Sequence, residues 1–185
     1  QNLDIDEVDV VGVGGSAFIA LELASLAKNR VRHTVMLSAI LVDDALRDEL
    51  TENYTPDIKP LWYGGHLVEA WYVVRDQSLF WPWFRQKRNN IVHAETELDP
   101  ARVQVRLLDL FRSHGMWRHA HQAVFAYPWK KKLAKTRESV LLASPMGDPL
   151  KSAAAQAASE MPHLLFMELP HEPRDWARAL LQKLS

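Results

Sequence analysis

At 185 residues, with 48% hydrophobic and 24% charged residues, the chain is large enough to bury a sizeable core as one folded domain. A net charge of −1 gives no global field toward nucleic acid or an anionic membrane, and no apolar run reaches the roughly 18–20 residues that span a bilayer. Cysteine is absent, which excludes disulfides, thiolate metal sites and cysteine nucleophiles and fits a reducing, cytoplasmic setting.

The chain opens at Gln1 with a polar, acidic run from Asn2 to Asp9, and a segment upstream of Gln1 is expected. Asp9–Val13 is a short β-branched run closed by glycines, which predicts a buried strand. Ser16–Lys28 is apolar nearly all round, the pattern of a buried helix rather than a surface one. Val31–Val42 predicts a second buried strand, so residues 1–43 read as a βαβ unit with a parallel sheet and a right-handed crossover. From 44 to 137 the character changes to a helical insertion rich in Trp, Tyr, Phe, His and Arg. Asp99-Pro100 marks a helix start there, with Val103, Leu107, Leu108 and Phe111 on one face. Trp62-Tyr63-Gly64-Gly65 and Trp81-Pro82-Trp83 are breaks. The α/β rhythm returns over 138–185: strand Ser139–Ser144, Ala-rich helix Pro149–Met161, strand His163–Leu169, and helix Pro173–Leu184 with Trp176, Leu180 and Leu184 on one stripe.

Val10-Val11-Gly12-Val13-Gly14-Gly15-Ser16-Ala17 joins the first strand to the first helix. A strand–tight turn–helix junction is where α/β enzymes place either a nucleophile or a phosphate. For a nucleophile, Gly14 occupies the position that needs a Ser, Cys or Asp, and glycine has nothing to attack with. Glycine does adopt the left-handed elbow conformation without the roughly 1–2 kcal/mol that other residues lose there.

The order of elements, with an insert after the second strand, resembles the C-terminal part of the α/β-hydrolase fold, the insert being its cap. Gly12-Val13-Gly14-Gly15-Ser16 lies on the family's Gly-x-Ser-x-Gly elbow, and Val31-Arg32-His33-Thr34-Val35-Met36-Leu37-Ser38 looks like its next core strand. Gly147-Asp148-Pro149 looks like the loop carrying the catalytic acid, and Leu169-Pro170-His171 like the loop carrying the catalytic histidine. The resemblance implies a mostly parallel sheet with an α-helical cap. It also implies a nucleophile position at Gly14, Asp148 orienting His171 as general base, and the Gly15 amide in the oxyanion hole. It covers essentially the whole chain but only about the C-terminal two thirds of a family member, so the early strands of the fold are absent. They are expected as an upstream or separate segment, with a homo-oligomer as the other way to cover the exposed first strand. Val13 departs from the polar residue common before the nucleophile, and the His171 loop lacks the glycine that often precedes the histidine.

Several residues have plainer roles to weigh. Asp148 also suits a helix N-cap before Pro149, and Asp43 and Asp44 are the alternative acid site. Ser16, two positions along the elbow, is the alternative nucleophile. His33 and His163 sit at strand edges, and His66 has a weaker case than His171. His114, His119 and His121 are offset by two, five and seven, which does not fit metal-ligand spacing on a helix, so no metal and no cofactor is expected. Trp62, Trp71, Trp81, Trp83, Trp117 and Trp129 fall in the insert. Most are expected to pack the cap, with Trp62, Trp81, Trp83 and Trp117 as the candidates to line an apolar ligand pocket. Lys130-Lys131-Lys132, with Lys135 and Arg137, is a solvated helix face rather than a polyanion site. The function expected is hydrolysis of an ester, amide or similar bond in a small apolar molecule, inactive as written at position 14. A non-catalytic binding module on the same fold is the alternative. A third possibility is an oxidoreductase binding NAD or FAD through Gly12-x-Gly14-x-x-Ala17, although the second strand has no carboxylate until Asp43.

Overall fold

A computed structural model describes residues 5–92, 99–136 and 138–184; Asn2, Leu3 and Asp4 of the acidic run and Arg137 of the basic run lie outside the described residues. The chain divides into two units, one of Gln1–Val42 with Tyr127–Ser185 and one of Asp43–Ala126.

The first unit is built on β1 (Val8–Val13), α1 (Ser16–Leu26) and β2 (Val31–Leu37). The second unit contains α2 (Asp44–Asn53), α3 (Gly65–Asp76), α4 (Pro100–Arg112) and α5 (Met116–Phe125). The first unit resumes with α6 (Trp129–Lys135), β3 (Val140–Pro145), α7 (Lys151–Glu160), β4 (Leu164–Leu169) and α8 (Trp176–Leu184). The four strands form one parallel sheet in the order β1-β2-β3-β4. α8 covers one face of it, packing Leu180, Trp176 and Leu184 on Val35, Leu37, Leu141, Ala143 and Leu169. α1 packs on β1 and β2, and α7 on β3 and β4. Residues of both alternation sets, Thr34 and Met36 as well as Val35 and Leu37, are buried, as a parallel strand covered on both faces requires.

Four boundaries and two burial expectations are corrected. The second strand ends at Leu37, not Val42, because Ser38 turns the chain at φ 49°. Ala39, Leu41 and Val42 are buried all the same, so an apolar run that predicts strand is here a packed turn. The Ala-rich helix begins at Lys151 rather than Pro149, and a short 3₁₀ turn over Pro173–Asp175 precedes α8. Tyr127 and α6 belong to the first unit, not to the insertion. The ring of Tyr127 stacks on Phe18 with centroids 4.5 Å apart, and its hydroxyl donates to Glu22 at 2.6 Å; Lys132 pairs with the same carboxylate. Burial, then Glu22, push the Tyr127 phenol upward. α1 is not buried all round. It packs Ala17, Phe18, Ala20, Leu21 and Ala24 inward, while Ile19, Leu23 and Leu26, the last 84% exposed, form an open stripe. Val11 and Val13 of β1 lie on the face that α8 covers further along the sheet, and they too remain exposed.

The second unit has its own anchors. Asp99 accepts from Ala101 N at 2.9 Å and starts α4 as the sequence predicts. Asp76, 1% exposed, accepts from Arg75 Nε and from Gln86 Nε2, each at 2.7 Å. Glu49 pairs with Arg85. Burial pushes the Tyr54 phenol up to about 12. Among the described residues no helix is long and apolar enough to cross a membrane.

Candidate active site

The carboxyl ends of the four strands carry the elbow and the two loops singled out in the sequence. Each strand's exit is tied to its neighbour by one further ladder bond. Gly14 N donates to Leu37 O at 2.9 Å, Ser38 N to Ala143 O at 2.8 Å, and Met146 N to Leu169 O at 3.2 Å. The four exits therefore lie side by side at about 4.8 Å per strand step.

The elbow has the geometry the sequence requires. Gly14 is left-handed at φ 57°, and a Cβ placed on it would meet no atom within 4 Å. Gly12 is the close approach. A Cβ there would sit 2.4 Å from Ser16 O and 2.6 Å from Ala17 Cα, so the first turn of α1 rests directly on the strand. Ser16, the alternative nucleophile, is committed elsewhere. Its hydroxyl accepts from Val13 N at 2.8 Å and donates to Val13 O at 2.9 Å, closing the elbow instead of facing a substrate. The Gly15 N–H, at the start of α1, makes no hydrogen bond among the described residues and is available as an oxyanion donor.

Asp148 is divided between two roles. Oδ1 accepts from Leu150 N at 2.8 Å, a turn contact ahead of the helix; Asp148 is not the N-cap expected of it, because α7 starts at Lys151 with Leu150 as its cap. Oδ2 is enclosed and has no partner among the described residues. A buried acceptor without a donor is costly, and this one is what an orienting acid needs for an imidazole N–H. His171 is exposed on the loop after β4, and no hydrogen bond or ion pair joins it to Asp148. Asp43 and Asp44 do not substitute. Asp43 caps α2 through Leu46 N at 2.8 Å, Asp44 pairs with Arg47, and both belong to the second unit.

Four other histidines are occupied. His33 Nδ1 lies 2.9 Å from Asp9 Oδ1, His66 Nδ1 accepts from Leu61 N at 3.0 Å, and His163 Nε2 is 2.9 Å from Leu133 O. His121 Nδ1 lies 2.8 Å from Trp117 O. Asp9 also takes a bidentate contact from Arg32, and that guanidinium first, His33 second, holds its carboxyl down at about 2. This cluster is at the amino end of the sheet, away from the elbow.

Of the tryptophans offered as ligand contacts, three pack within the second unit. Trp83 Nε1 donates to Tyr54 O at 2.8 Å, Trp81 meets Tyr54 edge-on at 5.8 Å, and Trp117 meets His121 edge-on at 5.9 Å. Trp62 is fully exposed. Trp129 lies in the first unit, where its indole donates to Val42 O at 3.1 Å.

Sequence reasoning missed Ser38. It stands at the end of β2, half-buried, with φ 49° and no partner for its hydroxyl among the described residues. The signal available was small: a serine ending the run Val35-Met36-Leu37, one residue beyond the strand's last pairing.

This arrangement, four sequential parallel strands with a left-handed glycine elbow after the first and a helical unit inserted after the second, is that of the α/β-hydrolase fold. The chain has that fold. Among solved structures it is similar to a bromoperoxidase from Bacillus anthracis, with 12% identity, TM-score 0.66, and 98% of this chain matched to 68% of that one. It is similar to MGS-M2, an alpha/beta hydrolase enzyme from a Medee basin deep-sea metagenome library, at 12% identity and TM-score 0.63, covering 98% of this chain and 66% of that one. Esterase E22 matches at 14% identity and TM-score 0.57, over 98% and 62%. The chain thus spans about two thirds of the length of the structures it matches. No protein-family model and no curated protein matches the sequence.

Proposed function

We propose that this chain carries the C-terminal portion of a hydrolase site for an ester- or amide-type bond in a small apolar molecule. Asp148 is the acid, His171 the general base and the Gly15 N–H the oxyanion donor. The observation that supports this best is the free Gly15 N–H beside a left-handed elbow, two strand exits from an enclosed carboxylate oxygen that lacks a donor. Esterase and hydrolase structures of the same fold support the reaction class. Because Gly14 has no side-chain atom, no covalent intermediate forms at position 14. The cysteine-free composition favours the cytoplasm.

The outer edge of β1, together with Val11, Val13 and the open stripe of α1, calls for a covering layer. We assign it to a strand and helix outside this sequence. Slow amide exchange along the outer edge of β1 in the 185-residue chain as a monomer would refute that assignment.

The direct test of function is Gly14→Ser assayed on short p-nitrophenyl esters. Hydrolysis should rise in this variant and fall again when His171→Ala is added. No rise, with an apolar ligand still bound, favours the second reading, a binding module on a silent elbow. The lack of an Asp148–His171 bond is the observation on that side.

A further inference from the structure

We propose that Ser38 supplies the attacking hydroxyl that Gly14 lacks, the nucleophile having moved one strand across, from the end of β1 to the end of β2. The proposal rests on the hydrolase reading above.

Ser38 and His114 are the two non-glycine residues with positive φ among the described residues. His114 lies in the turn between α4 and α5, where a left-handed residue ends a helix in the ordinary way. Ser38 ends a parallel strand and has no such reason. Backbone strain at a polar residue beside an active-site constellation is the mark of a group held for chemistry. The strain is enforced from both sides. Ser38 N is tied to Ala143 O, and the preceding carbonyl, Leu37 O, accepts from Gly14 N.

Position favours it as well. Three hydroxyl side chains stand at the carboxyl ends of the described strands: Ser16, Ser38 and Ser144. The Ser16 hydroxyl is consumed by Val13, and Ser144 is wholly buried. Ser38 is half-buried and its hydroxyl has no partner among the described residues. It borders the elbow strand on one side, where the open space at Gly14 leaves room for an acyl group. On the other side the acid strand is one step away, and the histidine strand two, or about 5 and 10 Å at ordinary strand spacing. The chain order nucleophile, acid, histidine is kept.

In the proposed step the Ser38 hydroxyl attacks the substrate carbonyl carbon as His171 takes its proton. The resulting oxyanion is met by the Gly15 N–H. Collapse breaks the bond to the leaving oxygen or nitrogen, which takes the proton from His171. A water molecule, deprotonated by His171, then releases the acid and restores Ser38.

A fluorophosphonate tests this on the chain as it stands, forming a phosphorus–Oγ bond and releasing fluoride. Trypsin yields the peptide 33–47, in which Ser38 is the one serine. The adduct should map to that peptide, and Ser38→Ala should abolish it and lower p-nitrophenyl acetate hydrolysis by about a hundredfold. Ser38→Gly should do the same while melting no lower than the parent chain, because glycine relaxes the strained φ; loss of labelling then cannot be loss of fold. An adduct elsewhere, no adduct, or hydrolysis retained in Ser38→Gly overturns the proposal. Labelling of Gly14→Ser at position 14, with none in the parent, would sink the Ser38 assignment and leave the hydrolase reading standing. Labelling in neither would sink both.

Discussion

The two elbow glycines should respond to the same substitution very differently. At Gly12 an alanine Cβ meets only backbone, the closest atoms being Ser16 O at 2.4 Å and Ala17 Cα at 2.6 Å. A carbon–oxygen contact needs about 3.3 Å, so the first turn of α1 must lift by about 1 Å. The lift also breaks the paired Ser16–Val13 hydrogen bonds. Overpacking costs about 1–3 kcal/mol and the two bonds about 1 kcal/mol each, giving about 3–5 kcal/mol for Gly12→Ala. At Gly14 there is no steric term, only φ 57°. The left-handed penalty of about 1–2 kcal/mol is partly offset by the smaller entropy of the unfolded chain, leaving about 1 kcal/mol for Gly14→Ala. For a chain of this size, that is a fall in Tm of about 3 °C for Gly14→Ala and about 10 °C for Gly12→Ala. Urea unfolding followed by far-ultraviolet circular dichroism, at unchanged m-value, measures both. Equal losses from the two substitutions would refute the assignment of Gly12 to close approach and Gly14 to backbone conformation.

Ser38→Gly should raise stability by about 0.5–1 kcal/mol, the relief of strain less the added chain entropy, read from the urea midpoint. Asp9 titrates at about 2 when folded against an ordinary 3.8, so its contribution is present above pH 3.8 and is lost as pH falls toward 2. With Arg32 largely exposed this is about 1 kcal/mol, and Asp9→Asn should be weaker than the parent above pH 3.8 and equal to it near pH 2. Tyr127→Phe keeps the ring on Phe18 and loses the bond to Glu22, which should lower unfolding free energy by about 1–2 kcal/mol. Asp76→Ala leaves Arg75 and Gln86 without their acceptor and should cost about 3 kcal/mol in a urea melt.

The strands were legible because β-branched and apolar runs closed by glycine or proline have few other structures open to them. The parallel arrangement was legible because a helix separates β1 from β2 and β3 from β4. The elbow was legible in Gly12 and Gly14 together. What could not be read was which groups are already spent. Nothing in Gly-Gly-Ser says that the serine hydroxyl turns back to Val13, and nothing in Leu37-Ser38-Ala39 says that an apolar run stops being strand at its one polar residue. Those facts depend on tertiary contacts. The all-round apolar pattern of α1 is a demand for two covering layers, and the described residues supply one, so Ile19 and Leu26 are exposed despite their sequence. Trp129 went to the wrong unit because aromatic richness marks packing without saying against what; its partner, Val42 O, is distant in sequence.

The bond from the Trp129 indole to Val42 O has a consequence for how this fold changes. It fastens together, within one unit, the points where the chain leaves and returns. Everything between them is a loop with a pinned mouth. Closing a longer loop costs only about 0.6 kcal/mol for each doubling of its length. Residues 43–126 can therefore be shortened, lengthened or exchanged for another helical unit at little expense to the sheet. A shuffled library in this segment, grafted at Val42 and Tyr127, should leave the strand exits where they are.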